Sequence, residues 1–516
     1  MISRRRFTCF SAAMMGIAAN RTLHGQTGSL FRHGVASGDP LINRVILWTR
    51  VTPAVDEEVI PVEWTISRDA SMSQIAQQGL TYTNAAFDYT VKVDVTRLDP
   101  GATYYYRFAV RGATSPIGRT KTLPLGGVSR LRLAVASCSN YPFGFFNAYR
   151  SMAERTDLDA VIHLGDYIYE YQNGQYGDGS SIGRIPDPDK ETVTLADYRR
   201  RYAQYRADPD LQEAHRQNPW IIVYDDHESA NDSWMDGAEN HTESTEGAWA
   251  VRRAAALQAW NEWQPVREQP FLDSNIYRSF RFGNLADLTM LDTRLTGRSR
   301  QVAANSPAIA DPNRSLLGPE QEGWFYKELS SSQSRGTRWR LVGQQTLMGQ
   351  VLGADGTPFN PDQWDGYLAS RLRFLQYLGS NAIGNVVVLT GDLHSSWGNE
   401  IAANPFGAGF APQAVEFAGP GITSPAIEDA AQAAGLEAQL AATHPHVKYV
   451  NLLRRGYFLL DVDRERAQAE WYHARTLVER SAGMDLGRTM AVASGTNRLT
   501  AVAGASAVGR GPELAR

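Results

Sequence analysis

Val161-Ile-His-Leu-Gly-Asp166-Tyr-Ile-Tyr169 decides the fold class. A short apolar run is closed by a glycine, and two chemically active side chains, Asp166 and Tyr169, follow at once. Apolar runs of four to eight residues bounded by turn signals read as strands buried on both faces, as in parallel sheets. Three further stretches share the plan: Leu133-Ala-Val-Ala-Ser-Cys138, Ile221-Ile-Val-Tyr-Asp225-Asp-His-Glu228 and Val386-Val-Val-Leu-Thr-Gly-Asp392-Leu-His394. In open α/β sheets, ligands bind outside the carboxyl ends of the strands. Four strand ends then deliver Cys138, Asp166, Tyr169, Asp225, Asp226, His227, Asp392 and His394 to one crevice. A set of that composition reads as a metal site.

Helical periodicity fills the spaces between these runs. Phe146, Tyr149 and Met152 keep helical spacing, and Glu246 to Trp263 forms a long helix with Ala250, Ala254, Leu257 and Trp260 on one face. Another helix begins at Leu317 with Pro319 near its first turn, and Asp365 to Leu378 is helical as well. Strand–helix alternation of this kind gives an α/β (α+β) core, here over residues 126–490. The Gly-, Asp- and Pro-rich stretch Tyr171 to Asp189 is a long loop near the site.

Residues 29–125 read differently. Val45–Trp48, Val62–Ile66, Tyr89–Val95 and Tyr104–Val110 are short runs rich in aromatic and β-branched residues, separated by turn signals such as Asp99-Pro-Gly101. They predict an antiparallel β-sandwich, and Leu98-Asp-Pro-Gly-Ala-Thr-Tyr-Tyr-Tyr is similar to the fibronectin-III pattern. A linker, Leu123 to Ser129, joins the two parts. Residues 491–516 are small and polar and are expected to form a flexible tail.

The N-terminus, Ser3-Arg4-Arg5-Arg6-Phe7 followed by a weakly apolar stretch, resembles a twin-arginine export signal over residues 1–28. It implies passage through the twin-arginine translocase to a periplasmic or extracellular place. The apolar run is too short to span a membrane, so no transmembrane anchor is expected. Of 2 cysteines, Cys9 falls in the signal, leaving Cys138 alone and no internal disulfide. Cys138 is either a buried small hydrophobe or a ligand. A net charge of −4 gives no nucleic-acid-binding signal. A monomer is expected.

In order along the chain, Cys138, Gly165-Asp-x-x-Tyr169, Asp225-Asp-His-Glu228 and Gly391-Asp-x-His394 resemble the PhoD-like alkaline phosphatases. These belong to the calcineurin-like metallophosphoesterase superfamily, as the purple acid phosphatases do. Phe31-x-His-Gly-Val-Ala-Ser-Gly-Asp-Pro40, Ala230–Trp234, Leu291-Asp-Thr-Arg294, Gln363-Trp-Asp-Gly-Tyr367 and Arg455-Gly-Tyr457 also look like family segments. The resemblance implies an αββα sandwich core behind the β-sandwich. It further implies that Cys138, Tyr169 and His394 hold Fe3+ and that Asp166 bridges two cations. Asp226 and Asp392 stand where the wider superfamily has Asn and His, and Gln345 is either a ligand or a buried strand amide. Such hard oxygen donors favour Ca2+, with Mn2+ or Mg2+ as substitutes. Asp225 and Asn231 are further oxygen donors for a second Ca2+. His227 matches the residue that protonates the leaving group or holds the phosphate; Arg294 and Arg455 are candidates by motif to neutralise phosphate oxygens, with surface or structural pairing the alternative for each.

The implied activity is metal-assisted hydrolysis of phosphate esters, that of an alkaline phosphatase on monoesters, with diesters open to the same centre. Phospholipase-D-type cleavage uses the same centre. A non-catalytic exported metal-binding module is the remaining alternative, and the presence of both Asp166 and His227 speaks against it.

Overall fold

The structure, a computed structural model, describes residues 30–55, 58–267, 276–509 and 511–516. The export signal expected over residues 1–28 lies outside them. No helix among the described residues is long and apolar enough to cross a membrane.

The N-terminal part supplies β1 (Val35–Leu41), β2 (Arg44–Arg50), β3 (Ile60–Ser67), β4 (Ile75–Thr83), β5 (Thr90–Thr96), β6 (Thr103–Val110), β7 (Ala113–Thr114) and β8 (Gly118–Lys121). The middle supplies β9 (Arg130–Ala136), β10 (Ala160–His163), β11 (Pro219–Ile222), β12 (Arg278–Phe282), β13 (Ala286–Met290), β14 (Trp339–Gln344), β15 (Val386–Thr390), β16 (Ser396–Ile401), β17 (Ala414–Ala418) and β18 (Val447–Asn451). The last strands are β19 (Gly456–Asp463), β20 (Arg466–Ala474), β21 (Met484–Ala493) and β22 (Leu499–Ala501).

Two large sheets form the core. One runs β22-β21-β20-β19-β9-β10-β11-β1-β2-β5, the other β12-β13-β14-β15-β17-β16-β18. The centres of both are parallel, β9 to β10 to β11 in the first and β13 to β14 to β15 to β17 in the second. Leu133, Ile162 and Ile222 of the first sheet share one apolar cluster with Leu288, Leu341, Leu389 and Phe417 of the second, so the sheets pack against each other. Alternate residues point the other way. Val342, Val386 and Val388 meet Phe325 and Leu329 of the helix Gly318–Ser334 and Phe374 and Leu378 of the helix Leu368–Ser380. The helix Asn147–Ala153 packs on β19 and β20, and the helix Pro209–Gln217 on β1. Helices therefore cover the stacked sheets. Each fully buried aliphatic side chain in these layers contributes roughly 1.5–3 kcal/mol.

The N-terminal sandwich packs Val35, Leu47 and Val95 against Val62, Ile66, Tyr106 and Phe108. Its β1-β2-β5 half is no separate sheet, because β1 pairs in parallel with β11, Gly38 opposite Trp220. Gly38 permits that approach: a Cβ there would lie 2.7 Å from the Trp220 carbonyl oxygen and 2.3 Å from that of Pro265. The neighbouring Asp39 is buried and accepts the guanidinium of Arg278 at 2.7 Å and the backbone N–H of Arg267 at 2.8 Å. The Gly-Asp-Pro40 motif thus joins sandwich to core.

The expectation of a flexible tail over residues 491–516 is corrected. β21 continues to Ala493 and β22 adds an edge strand to the large sheet. Beyond it, Ala515 N–H donates to Gln217 Oε1 and the Gln217 amide returns a bond to Ala515 O, each 2.9 Å, while Tyr105 donates to Glu513 O at 2.5 Å. The tail is held mainly through its backbone, and backbone groups bond whatever the composition.

Candidate metal centre

Each candidate ligand follows the carboxyl end of a parallel strand: Cys138 after β9, Asp166 and Tyr169 after β10, Asp225 to His227 after β11, Asp392 and His394 after β15. Both sheets contribute, so the crevice lies across the carboxyl ends of central strands of the two stacked sheets. Cys138, Asp166, Asp392 and His394 have φ of 62°, 55°, 61° and 53°. Left-handed backbone at non-glycine residues costs about 1–3 kcal/mol each and collects at functional sites. Here it turns four side chains back toward one point. Gly165, at φ 105°, sits so close that a Cβ would lie 2.4 Å from the backbone nitrogen of Asp225. That contact explains the glycine of the Gly-Asp motif.

Three overlapping groups converge, each with ligand atoms within 4.8 Å of one another: Cys138 with Asp166 and His394, Asp166 with Asp226 and His227, and Asp225 with Asp226 and Asp392. Tyr169 joins the first group. Its hydroxyl donates to Asp166 Oδ2 at 2.8 Å, lies 3.1 Å from His394 Nε2, and accepts from Ser424 at 2.7 Å. His394 Nδ1 donates to the Pro425 carbonyl at 3.0 Å, which leaves the Nε2 lone pair facing Tyr169 and Asp166.

Electrostatics call for cations at this place. Two carboxylates 4.8 Å apart repel by about 3–4 kcal/mol at an effective dielectric of 20. Burial, then repulsion from Asp362 and Asp226, pushes Asp392 up to about 6 against the pull of Arg294. Burial, and next the charge of Asp166, holds the Cys138 thiol and the Tyr169 phenol well above their usual ranges. Asp166 Oδ1, Asp225 Oδ2 and Asp226 Oδ1 are buried without any hydrogen-bond partner. Three orphaned carboxylate oxygens beside a thiol, a phenol and an imidazole are the donor set a pair of cations satisfies, so the residues fit bound metal.

Several candidate residues have other partners. Gln345 is saturated: its Oε1 accepts from Thr293 N and Oγ1 at 3.0 and 2.7 Å, and its Nε2 donates to Tyr224 O and Leu291 O at 2.9 and 3.0 Å. It braces the crevice from behind and has no atom left for a ligand bond. Arg294 is fully buried, clamped to Asp225, to Asp362 at 2.5 Å and to Asp392 at 2.6 Å. Its guanidinium holds carboxylates in place and is not offered to substrate. Arg455 does not line the cleft; its Nη1 bonds the Leu453 carbonyl. Asn231 does line it, with its amide nitrogen on Glu239 at 3.2 Å.

Glu170 and Glu228 have functions that sequence reasoning did not assign. Buried Glu228 accepts the backbone N–H groups of Asp166, Tyr167 and Asp225 at 3.0, 2.7 and 2.8 Å, tying two ligand turns together. Glu170 accepts His227 Nδ1–H at 2.7 Å and also holds Asn231 N and Asn240 Nδ2. Burial opposes charge on His227, but the carboxylates of Glu170, Asp166 and Asp226 outweigh it and hold the imidazole well above its usual range. Glu170 stands directly after the Tyr169 of the motif, and that position was the only signal. With Nδ1 fixed, His227 Nε2 is the nitrogen that has no partner among the described residues. Glu170→Gln is expected to lower kcat on the order of 10²-fold at unchanged metal content, because the imidazole loses both orientation and charge support. Steady-state kinetics with elemental analysis on the same samples checks this.

Beside the centre opens a cleft of about 520 Å³, into which Asp226, His227, Asp392 and His394 project together with Tyr171 and Tyr176. Two facing sheets whose strand ends present carboxylates, imidazoles, a thiol and a phenol at such a cleft define a metallohydrolase. Residues 133–471 match the PhoD-like phosphatase family, and residues 18–124 match the PhoD-like phosphatase, N-terminal domain. Alkaline phosphatase D of Bacillus subtilis (strain 168) is 35% identical over 508 residues, covering 91% of this chain and 84% of that protein. A solved structure titled "Structure of PhoD" superposes with a TM-score of 0.85 at 34% identity, covering 93% of both chains. The chain belongs to the PhoD-like phosphatase family and is a phosphoric ester hydrolase.

Proposed function

We propose that the protein hydrolyses phosphomonoesters and small phosphodiesters at a centre that holds ferric iron beside one or two calcium ions. The observation that carries this is the trio of orphaned oxygens on Asp166, Asp225 and Asp226 next to Cys138, Tyr169 and His394. The soft and phenolic donors suit iron, the carboxylates suit calcium, and Asp166 is shared. Cations bound there supply Lewis acidity toward water and phosphate. With Arg294 withdrawn into its carboxylate cage, the protein's own positive group at the cleft is His227, which binds a phosphate oxygen or donates its Nε2 proton to the departing alkoxide. Glu170 holds that ring in place, and the rings of Tyr169, Tyr171 and Tyr176, with centroids 4.2, 5.4 and 6.3 Å from it, shield it from water.

Export by the twin-arginine route to the periplasm or beyond, and a monomeric state, complete the proposal; Arg4-Arg5-Arg6-Phe7 supports the export. Dialysis against chelator is expected to lower aryl phosphate hydrolysis by at least about 10²-fold. Iron with calcium should restore the rate and zinc with calcium should not. Full activity in the stripped protein would refute the centre.

A further inference from the structure

The cleft is larger than a phosphate requires. A phosphoryl group occupies roughly the space of three or four waters, ~100 Å³, against about 520 Å³ for the cleft. Much of the remaining wall is apolar: Leu347, Val351, Leu352, Trp397, Leu436 and Leu440. These come from the segment after β14, from β16 and from the helix Ala430–Thr443. Leu436 and Leu440, four residues apart, share one face of that helix. The helix sequence, AAQAAGLEAQLAAT, carries a single charged residue, Glu437, although most of its length is exposed. A surface helix in a soluble protein ordinarily turns charged residues to water. Phe359 also lines the cleft, yet is 76% exposed.

Charge separates two substrate classes. No lysine or arginine among the described residues lines the cleft. Nucleotides, polyphosphates and other polyanions need cationic partners for charges beyond the reacting phosphate. An uncharged alkyl chain or aromatic ring needs none, and it gains from covering leucine and tryptophan surface. We infer that the cleft takes phosphate esters whose ester group is an alkyl chain or aromatic ring. The substrate class assigned in this way rests on the phosphoesterase function proposed above, and the apolar wall is continuous with that centre.

The test uses the metal-loaded full chain and a series with a constant leaving group: the methyl, butyl and octyl p-nitrophenyl phosphodiesters, with thymidine 3′-phosphate 5′-(p-nitrophenyl phosphate), which carries a second anionic phosphate, as the polyanionic control. kcat/KM is expected to rise about two- to fourfold per methylene between methyl and butyl. The octyl ester should exceed the thymidine ester by at least tenfold. The double substitution Leu436→Asn and Leu440→Asn should lower the octyl-to-methyl ratio of kcat/KM by at least about tenfold; the ratio is read within the one variant, so a smaller folded fraction cancels, and a thermal melt checks that the helix still packs on Leu347 and Trp397. Calorimetric binding of octylphosphonate against methylphosphonate supplies an arm independent of turnover. Tighter octylphosphonate binding without hydrolysis of any ester would support the apolar site and overturn the phosphoesterase function. Hydrolysis with a flat series, or preference for the thymidine ester, would overturn the apolar site and leave that function standing.

Discussion

Asp166→Asn is expected to lower kcat/KM for an aryl phosphate by about 10³-fold or more while the protein stays folded. Asparagine has the shape of aspartate and tolerates left-handed backbone, so the φ of 55° at this position is kept. The backbone N–H of residue 166 still bonds Glu228, and the amide oxygen can still accept from Tyr169. What is lost is the anionic charge shared by two of the three ligand groups, those with Cys138 and His394 and with Asp226 and His227. A neutral amide binds a bridging pair of cations far more weakly than a carboxylate does. Aryl phosphate kinetics alongside a thermal melt separate this from unfolding; activity within tenfold of the parent would sink the bridging role.

Arg294→Met should destabilise the chelator-treated protein by about 3–5 kcal/mol, the usual cost of stripping one partner from a buried ion pair. The guanidinium is fully buried among Asp225, Asp362 and Asp392, with Asp226 at 3.6 Å. Without it, Asp362 keeps Arg298 and the Gln301 amide, while among the described residues no other cation pairs with Asp225, which keeps the Asp226 backbone N–H at 3.0 Å. Calcium should restore part of the loss, because a divalent ion can take up the exposed carboxylate charge. Denaturant unfolding with and without calcium measures both effects. A variant as stable as the parent in chelator, or one indifferent to calcium, would show that the carboxylates do not form an electrostatic unit.

The strand ends were legible because parallel strands buried on both faces leave continuous apolar runs, and a polar cluster directly after one stands out. Cys138, Asp166, Tyr169, Asp226, His227, Asp392 and His394 all follow that rule, and the structure brings them together. The β-sandwich was legible through its alternating aromatic runs, but its fusion to the core through β1 and β11 was not, since pairing partners leave no mark on either strand. Arg294 shows the limit for charges. A motif arginine near a phosphate site reads as a phosphate ligand, and only the three-dimensional count of surrounding carboxylates shows it to be fully occupied. Gln345 shows the same for amides, whose four hydrogen-bonding positions are filled from two separate segments, Leu291–Thr293 and Tyr224. Glu170 and Glu228 were hidden because their partners are a histidine far along the chain and backbone N–H groups. The C-terminal residues were misread because backbone bonding, not composition, anchors them.

The visible absorption spectrum of the purified wild type and of Tyr169→Phe tests the iron side of the centre most directly. Tyr169 donates to Asp166 at 2.8 Å and stands 3.1 Å from His394 Nε2, so a ferric ion held there has the phenol within reach. The prediction is a coloured wild-type protein whose phenolate band disappears in Tyr169→Phe while iron stays bound through Cys138, Asp166 and His394. A colourless, iron-free wild type with full phosphatase activity, or a spectrum unchanged by the substitution, would contradict it.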